Sequence, residues 1–268
     1  MLASHRDPES YVAGATPLNR GGIRYSHDID IFHDRAERVE AAALDDAKAL
    51  ESAGYRVVWR RQLRFSYTAE VGRADEISDL EWVADSDYRF FPTIPDELFG
   101  YILHPVDLAA NKVMAAAGRS EVRDLVDLLT VHEQILPLGA VIWAAVDKAH
   151  GFTPEGLIAE IRRNSNYPAA EWRSVTTAEP LDPQSVLSQL RDALAEAERF
   201  VRQMPTERKG LAQQQPGVRG QQAHGAECPA DSELVKPGPL TGIRRPLAAE
   251  SSRSPELVTG PFPAYPYD

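Results

Sequence analysis

The chain has almost no sulfur chemistry: one cysteine, Cys228, in 268 residues. A single thiol excludes a disulfide framework and a cysteine-based zinc site, and it fits a reducing cytoplasm. No stretch approaches the roughly 18 apolar residues that a membrane span needs. Met1 to Ser10 is polar, without the apolar segment of a signal peptide. The expectation is a cytoplasmic protein with no membrane partner. Positive charge is also short: 29 Lys and Arg stand against 40 Asp and Glu, a net charge of −11. Bulk charge therefore does not draw nucleic acid, and such a partner must meet a local basic patch. There is no Walker-type glycine loop. His27, His33, His104, His132 and His150 lack the His-x-x-x-His spacing of a zinc site. Ser26 has no suitably placed histidine to activate it, which argues against a serine hydrolase.

What is present is an ordinary globular balance, 43% hydrophobic and 26% charged, enough for a sizeable core. The composition changes near Met204. Residues 205–268 hold 10 of the 20 prolines and 7 of the 17 glycines but none of the four tryptophans. They show no helical or strand period, and the expectation is a disordered tail.

In the remainder, Val12-Ala13-Gly14 reads as a strand end, followed by a turn or short helix through Thr16-Pro17-Leu18. Asp28 to Phe32 alternates polar and apolar, the period of a half-buried strand. Asp34 is placed to cap a helix carrying Ala36, Val39, Ala43, Ala47 and Leu50 on one face and stopped by Gly54. Strand-like runs follow at Tyr55–Trp59, Leu63–Glu70 and Ile77–Val83. After Pro105 the pattern turns helical over Val106–Ala117, Glu121–His132, Leu138–His150, Pro154–Arg163 and Pro183–Met204. A mixed sheet first and helices second predicts an α+β fold. Residues 1–104 would form a sheet lobe and 105–204 a helical lobe completing a cleft.

The chemistry-bearing segment is Asp28-Ile29-Asp30-Ile31-Phe32, preceded by Gly14-Ala15. Carboxylates at i and i+2 of a strand share a face, roughly 7 Å apart, while Ile29 and Ile31 point to a core. Two such groups offer hard oxygen ligands to divalent cations. Paired metals would activate an attacking oxygen and hold phosphates. Glu81, acidic among the apolar neighbours Leu80, Trp82 and Val83, is the best-placed third carboxylate. Asp-x-Asp on an edge strand is also what a plain solvated face looks like. Aspartate is a poor strand former, however, and Gly14 upstream with Glu81 downstream favours a metal site.

Lys112 lies beside the apolar side of its helix, formed by Val106, Ala109, Ala110, Val113, Met114 and Ala117. It either snorkels to water or reaches into a cleft. On the next helix Val122, Leu125, Leu128 and Leu129 form the buried stripe, and Arg123 and Asp127 are spaced for an i,i+4 pair. Asp124 falls on another face, where it either orients Lys112 or a nucleotide or, like Asp127, is solvated. Arg56, Arg60, Arg61 and Arg64, interleaved with Tyr55, Trp59 and Phe65, form the local basic concentration. That pattern suits an RNA contact, and equally a strand pair with one charged face.

Gly14-Ala15 followed by Ser26-His27-Asp28-Ile29-Asp30 resembles the nucleotidyltransferase signature. The wider stretch adds Val12 to Arg20, Leu108-Ala109-Ala110-Asn111-Lys112 and Arg119 to Asp124. Over roughly residues 10–135 it resembles the AbiEii/AbiGii toxin family of the polymerase-β-like nucleotidyltransferase superfamily. The resemblance implies transfer of a nucleoside monophosphate from an NTP, with Mg²⁺ or Mn²⁺, to an acceptor. In related toxins the acceptor is the 3′ end of tRNA and an antitoxin partner restrains the enzyme. By position, Asp28, Asp30 and Glu81 would ligate metal. Gly14 would let the triphosphate approach the backbone, Ser26 would lie near the phosphates, and Lys112 would neutralise one. The family has Gly or Ser where this chain has Ala15, which implies reduced nucleotide binding. An N-terminal element common in relatives is expected to be missing before Gly14. The alternatives are an inactive nucleotide-binding relative and a metal-dependent phosphohydrolase using the same carboxylates.

Overall fold

A computed structural model describes residues 1–86, 88–148, 151–177 and 179–204. The segment 205–268, expected to be disordered, and His150 lie outside the described residues. Strands β1 (Ser10–Ala13), β2 (Asp28–His33), β3 (Arg56–Leu63), β4 (Ser66–Arg73), β5 (Glu76–Ala84), β6 (Ile94–Asp96) and β7 (Gly100–Ile102) form one sheet in the order β3-β4-β5-β2-β1-β7-β6. The sheet is mixed: β2 runs parallel to β5 and β1 to β7, and the other neighbours are antiparallel. Helix α1 (Ala15–Leu18) follows β1, and α2 (Ala36–Ser52) links β2 to β3. Then come α3 (Pro105–Gly118), α4 (Val122–Gln134), α5 (Leu138–Ala145), α6 (Pro154–Arg163), α7 (Ala169–Trp172) and α8 (Pro183–Gln203). No single helix among the described residues is long and apolar enough to cross a membrane.

The alternation of β2 sorts the sheet into two faces. Val12, Ile31, Tyr67, Ala69, Leu80 and Trp82 point one way and pack under Val39, Ala43 and Leu50 of α2. Asp46, in the middle of that apolar helix face, is wholly buried because the Arg6 guanidinium grips it at 2.8 and 2.6 Å and the Trp82 indole donates at 2.7 Å. On the other face, Tyr11 and Ala13 of β1 meet Leu103 and Leu108 at the head of α3. Beyond them the later helices share a second core, with Leu125, Leu128, Ile142, Leu157, Ile161 and Leu190 among its members.

Several local expectations are corrected. Asp34 does not cap α2. The N-cap is Arg35, with no side-chain bond, and Asp34 is gripped by Arg89 at 2.7 and 2.6 Å. The strand pair spans Arg56–Leu63 and Ser66–Arg73, so the expected break at Arg60–Gln62 is paired backbone, accommodated by a bulge between Trp59 and Arg61. The helix from Leu138 stops at Ala145. Strands β6 and β7 and helix α7 were not foreseen, being too short to show a period.

Helices α5 and α8 approach closely at Gly139, where an added Cβ would lie 2.8 Å from Phe200 Cβ and 3.1 Å from Ala197 Cα. Gly139→Ala is expected to lower the unfolding free energy by about 1–3 kcal/mol through overpacking. Denaturant titration measures this, and unchanged stability would contradict so close a contact.

Candidate active site

The cross-strand register places the acidic residues. Asp30 pairs with Ala13 on β1 and with Glu81 on β5, so Asp30 and Glu81 lie on one sheet face, as the strand period predicted. Asp28 lies one repeat along, opposite Asp79. Ile31 is 1% exposed on the reverse face.

Asp30 is half-buried, not solvent-facing as expected. Its carboxylate lies against Gly14: a Cβ there would come within 1.8 Å of Asp30 Oδ2. Gly14 also has φ +68°, a conformation that favours glycine. The glycine is therefore required twice over, by its turn and by the aspartate packed on it. Gly14→Ala is expected to displace Asp30 and weaken any cation site, besides straining the turn by about 1–3 kcal/mol. Calorimetric Mn²⁺ titration of the variant checks the first effect, and wild-type cation affinity would refute the placement.

Burial, followed by the charges of Asp28 and Glu81, pushes the Asp30 carboxyl up to about 6; Lys112 and Arg123 pull the other way. Asp28 accepts a 2.5 Å hydrogen bond from Ser26 Oγ, and its other oxygen lies 3.6 Å from Arg123. The Thr16 hydroxyl donates to the Asp28 carbonyl, tying α1 to β2. Ala15 is buried at the head of α1.

These hard-oxygen donors, with the like-charge crowding at Asp30, fit a divalent cation at Asp28 and Asp30. Among the described residues, however, no group of three or more His, Cys, Asp or Glu is arranged to hold a metal ion. The geometry of Glu81 gives a reason. Its Oε1 accepts from Arg61 Nη2 at 2.7 Å and from Ser66 Oγ at 3.2 Å, which ties it towards β3 and β4 while Asp30 lies on Gly14.

The second wall of the site comes from α3 and α4. Lys112 is 7% exposed and does not snorkel; its Nζ lies 2.7 Å from Asp127 and 4.0 Å from Asp124. Neither aspartate is solvated. Asp124 is held by Arg119 at 2.7 and 3.0 Å. Asp127 accepts from Arg24 Nε and Nη2 at 2.7 and 2.8 Å and from Asn19 Nδ2 at 3.0 Å. Burial raises the Asp127 carboxyl, but the Arg24 bonds and the Lys112 and Arg24 charges outweigh it and leave it below the usual range. The expected Arg123–Asp127 pair is absent: Arg123 turns to Asp28 and Glu121 instead. Asn19 and Arg24 were missed. Only Asp124 had a local signal, lying on α4 between the apolar Val131 and Leu128; Asp127 falls on the polar side of the helix and is buried by partners distant in the chain.

No family model matches the chain, and no curated protein matches it. Among solved structures, MenT4, a nucleotidyltransferase toxin of Mycobacterium tuberculosis, superposes with a TM-score of 0.51 at 15% identity, over 77% of this chain and 81% of that one. An H. pylori protein provisionally classed as a nucleotidyltransferase gives 0.48 at 15% identity, over 75% of this chain and 91% of that one. The likeness to MenT4 shows the fold alone, an α+β architecture of nucleotidyltransferase-like form.

Proposed function

We propose that the chain transfers a nucleoside monophosphate from an NTP to an acceptor, the 3′ end of a tRNA, as the toxin of a toxin–antitoxin pair of the AbiEii/AbiGii kind. The observation that carries this reading is Asp30: an acid held up to about 6, packed on an obligatory glycine, beside Asp28 and within the field of Lys112. Perturbed carboxylates in such a setting are characteristic of functional sites. The fold shared with the toxin MenT4 supports the reaction class and the toxin role.

A divalent cation, Mg²⁺ or Mn²⁺, bound at Asp28 and Asp30 would supply charge neutralisation at the transferred phosphoryl group. Ser26 orients Asp28 by its 2.5 Å bond. Lys112, anchored on Asp127, keeps further N–H donors for a phosphate. Arg24 fixes Asp127 in turn, so the lysine is held by a charged frame. The reaction would run in the cytoplasm, in keeping with the lone cysteine.

A second reading, nucleotide binding without transfer, is favoured by the engagement of Glu81 with Arg61, which leaves two carboxylates instead of three. Calorimetric titration with each NTP, with and without Mg²⁺, tests what the two readings share: cation-dependent binding is expected, and none to any NTP would overturn both. Lys112→Ala should weaken NTP binding, with transfer partly restored at saturating NTP, because one phosphate contact is lost. Two Arg24 bonds still hold Asp127. Unchanged NTP affinity would remove the phosphate role from Lys112.

A further inference from the structure

Beyond Glu81 the sheet face that carries Asp30 stays open. The register continues the row Asp30–Glu81–Thr68–Arg61 across β2, β5, β4 and β3. The bulge between Trp59 and Arg61 puts an extra residue, Arg60, into β3. A bulge breaks the two-residue alternation. As a result, consecutive arginines both reach carboxylates of this one face, Arg60 on Glu70 and Arg61 on Glu81. Arg61 makes all its hydrogen bonds through a single nitrogen, Nη2, which donates to Ser66, Thr68 and Glu81 at 2.9, 3.4 and 2.7 Å. Its Nε and Nη1 carry no bond among the described residues, and its side chain is 49% exposed. Both bidentate edges of the guanidinium, Nε–Nη2 and Nη1–Nη2, include the nitrogen that holds Glu81, so a phosphate gripped along either edge competes with that carboxylate.

We propose that Arg61 binds a phosphate of the nucleic-acid acceptor strand and, when it does so, releases Glu81 to join Asp28 and Asp30. The proposal rests on the nucleotidyl-transfer reading and adds to it an order of assembly: acceptor first, then the complete carboxylate set. A half-exposed ion pair contributes little stability, so a phosphate, which binds arginine bidentately, competes for Arg61 effectively. The occupant is a single strand on three counts. Arg56, Arg60 and Arg61 place successive half-exposed cations along β3, the first two sharing the single carboxylate of Glu70. Phe65, 55% exposed beyond the end of β3, has Arg64 over its ring at 5.3 Å and offers a face for base stacking. Three strand spacings, roughly 14 Å, separate Arg61 from Asp30, so the nucleotide side at Gly14 and Lys112 is left clear.

The test is Mn²⁺ binding, followed by electron paramagnetic resonance, to the full chain with and without a short oligoribonucleotide. In the native chain the oligonucleotide should tighten Mn²⁺ binding several-fold. In Arg61→Ala, Mn²⁺ should bind that tightly without oligonucleotide and gain nothing from it. Oligonucleotide affinity should also fall, its log–log salt slope becoming shallower by about 0.7 for one lost phosphate contact. Glu81→Gln should abolish the coupling yet leave oligonucleotide binding as strong as native or stronger. Native Mn²⁺ affinity in Arg61→Ala, or tightening by NTP and not by oligonucleotide, would overturn the proposal. Coupling without nucleotide transfer would uphold the Arg61 exchange and overturn the function it rests on; transfer without coupling would do the reverse.

Discussion

Replacing Asp30 by asparagine is expected to abolish nucleotidyl transfer and, at neutral pH without divalent cation, to make the protein more stable. The two effects have one cause. Burial and the neighbouring charges of Asp28 and Glu81 make the ionised Asp30 costly, which is why its carboxyl is raised from 3.8 to about 6. Between those values the native chain holds a proton that the unfolded chain has lost, so stability falls as pH rises through the window. Asparagine keeps the shape and removes the charge, and with it the group that would bear cation and transition-state charge. The gain in melting temperature should therefore be present at pH 7–8 and vanish near pH 4, where native Asp30 is itself neutral. Calorimetric melts at the two pH values, with transfer assays beside them, decide this. Full transfer by Asp30→Asn would end the metal-site account, and a lower melting temperature at pH 8 would refute the charge crowding.

Asp127→Ala should act in the opposite sense on stability. Asp127 is wholly buried and holds both Arg24 and Lys112, whose side chains are 5% and 9% exposed. Its removal leaves two cations confined without their anion, a loss on the order of 3–5 kcal/mol. That is a large share of the 5–15 kcal/mol typical of a folded chain. The depressed Asp127 carboxyl stabilises the fold above its unfolded value near 3.8 and ceases to do so as pH falls through its lower folded value. The loss in the variant should accordingly be large at neutral pH and shrink in strong acid. A denaturation midpoint within experimental error of native would show that Arg24 and Lys112 reach water.

What the sequence disclosed follows from range. The Asp28–Asp30 strand and its shared face with Glu81 were legible because a period of two is written in adjacent residues. The apolar stripes of α2, α3 and α4 were legible for the same reason. Partners far apart in the chain were not. Asp34 looked like a cap because Arg89, 55 residues on, gave no local sign. Asp127 looked like half of an i,i+4 pair because Arg24, 103 residues back, left no mark on the local pattern. The Glu81 strand position was readable, but its engagement by Arg61 depends on a bulge that sequence period alone does not reveal.

Transfer of a nucleoside monophosphate at Asp28 and Asp30 is tested most directly by where the label of an NTP goes. The full chain is incubated with Mg²⁺, total tRNA and each NTP labelled at the α-phosphate, with Asp30→Asn in parallel. Label on RNA and release of pyrophosphate are expected with the native chain, and neither product with the variant. Free labelled monophosphate without labelled RNA would make the protein a phosphohydrolase, and NTP binding with no product from any of the four nucleotides would contradict transfer altogether.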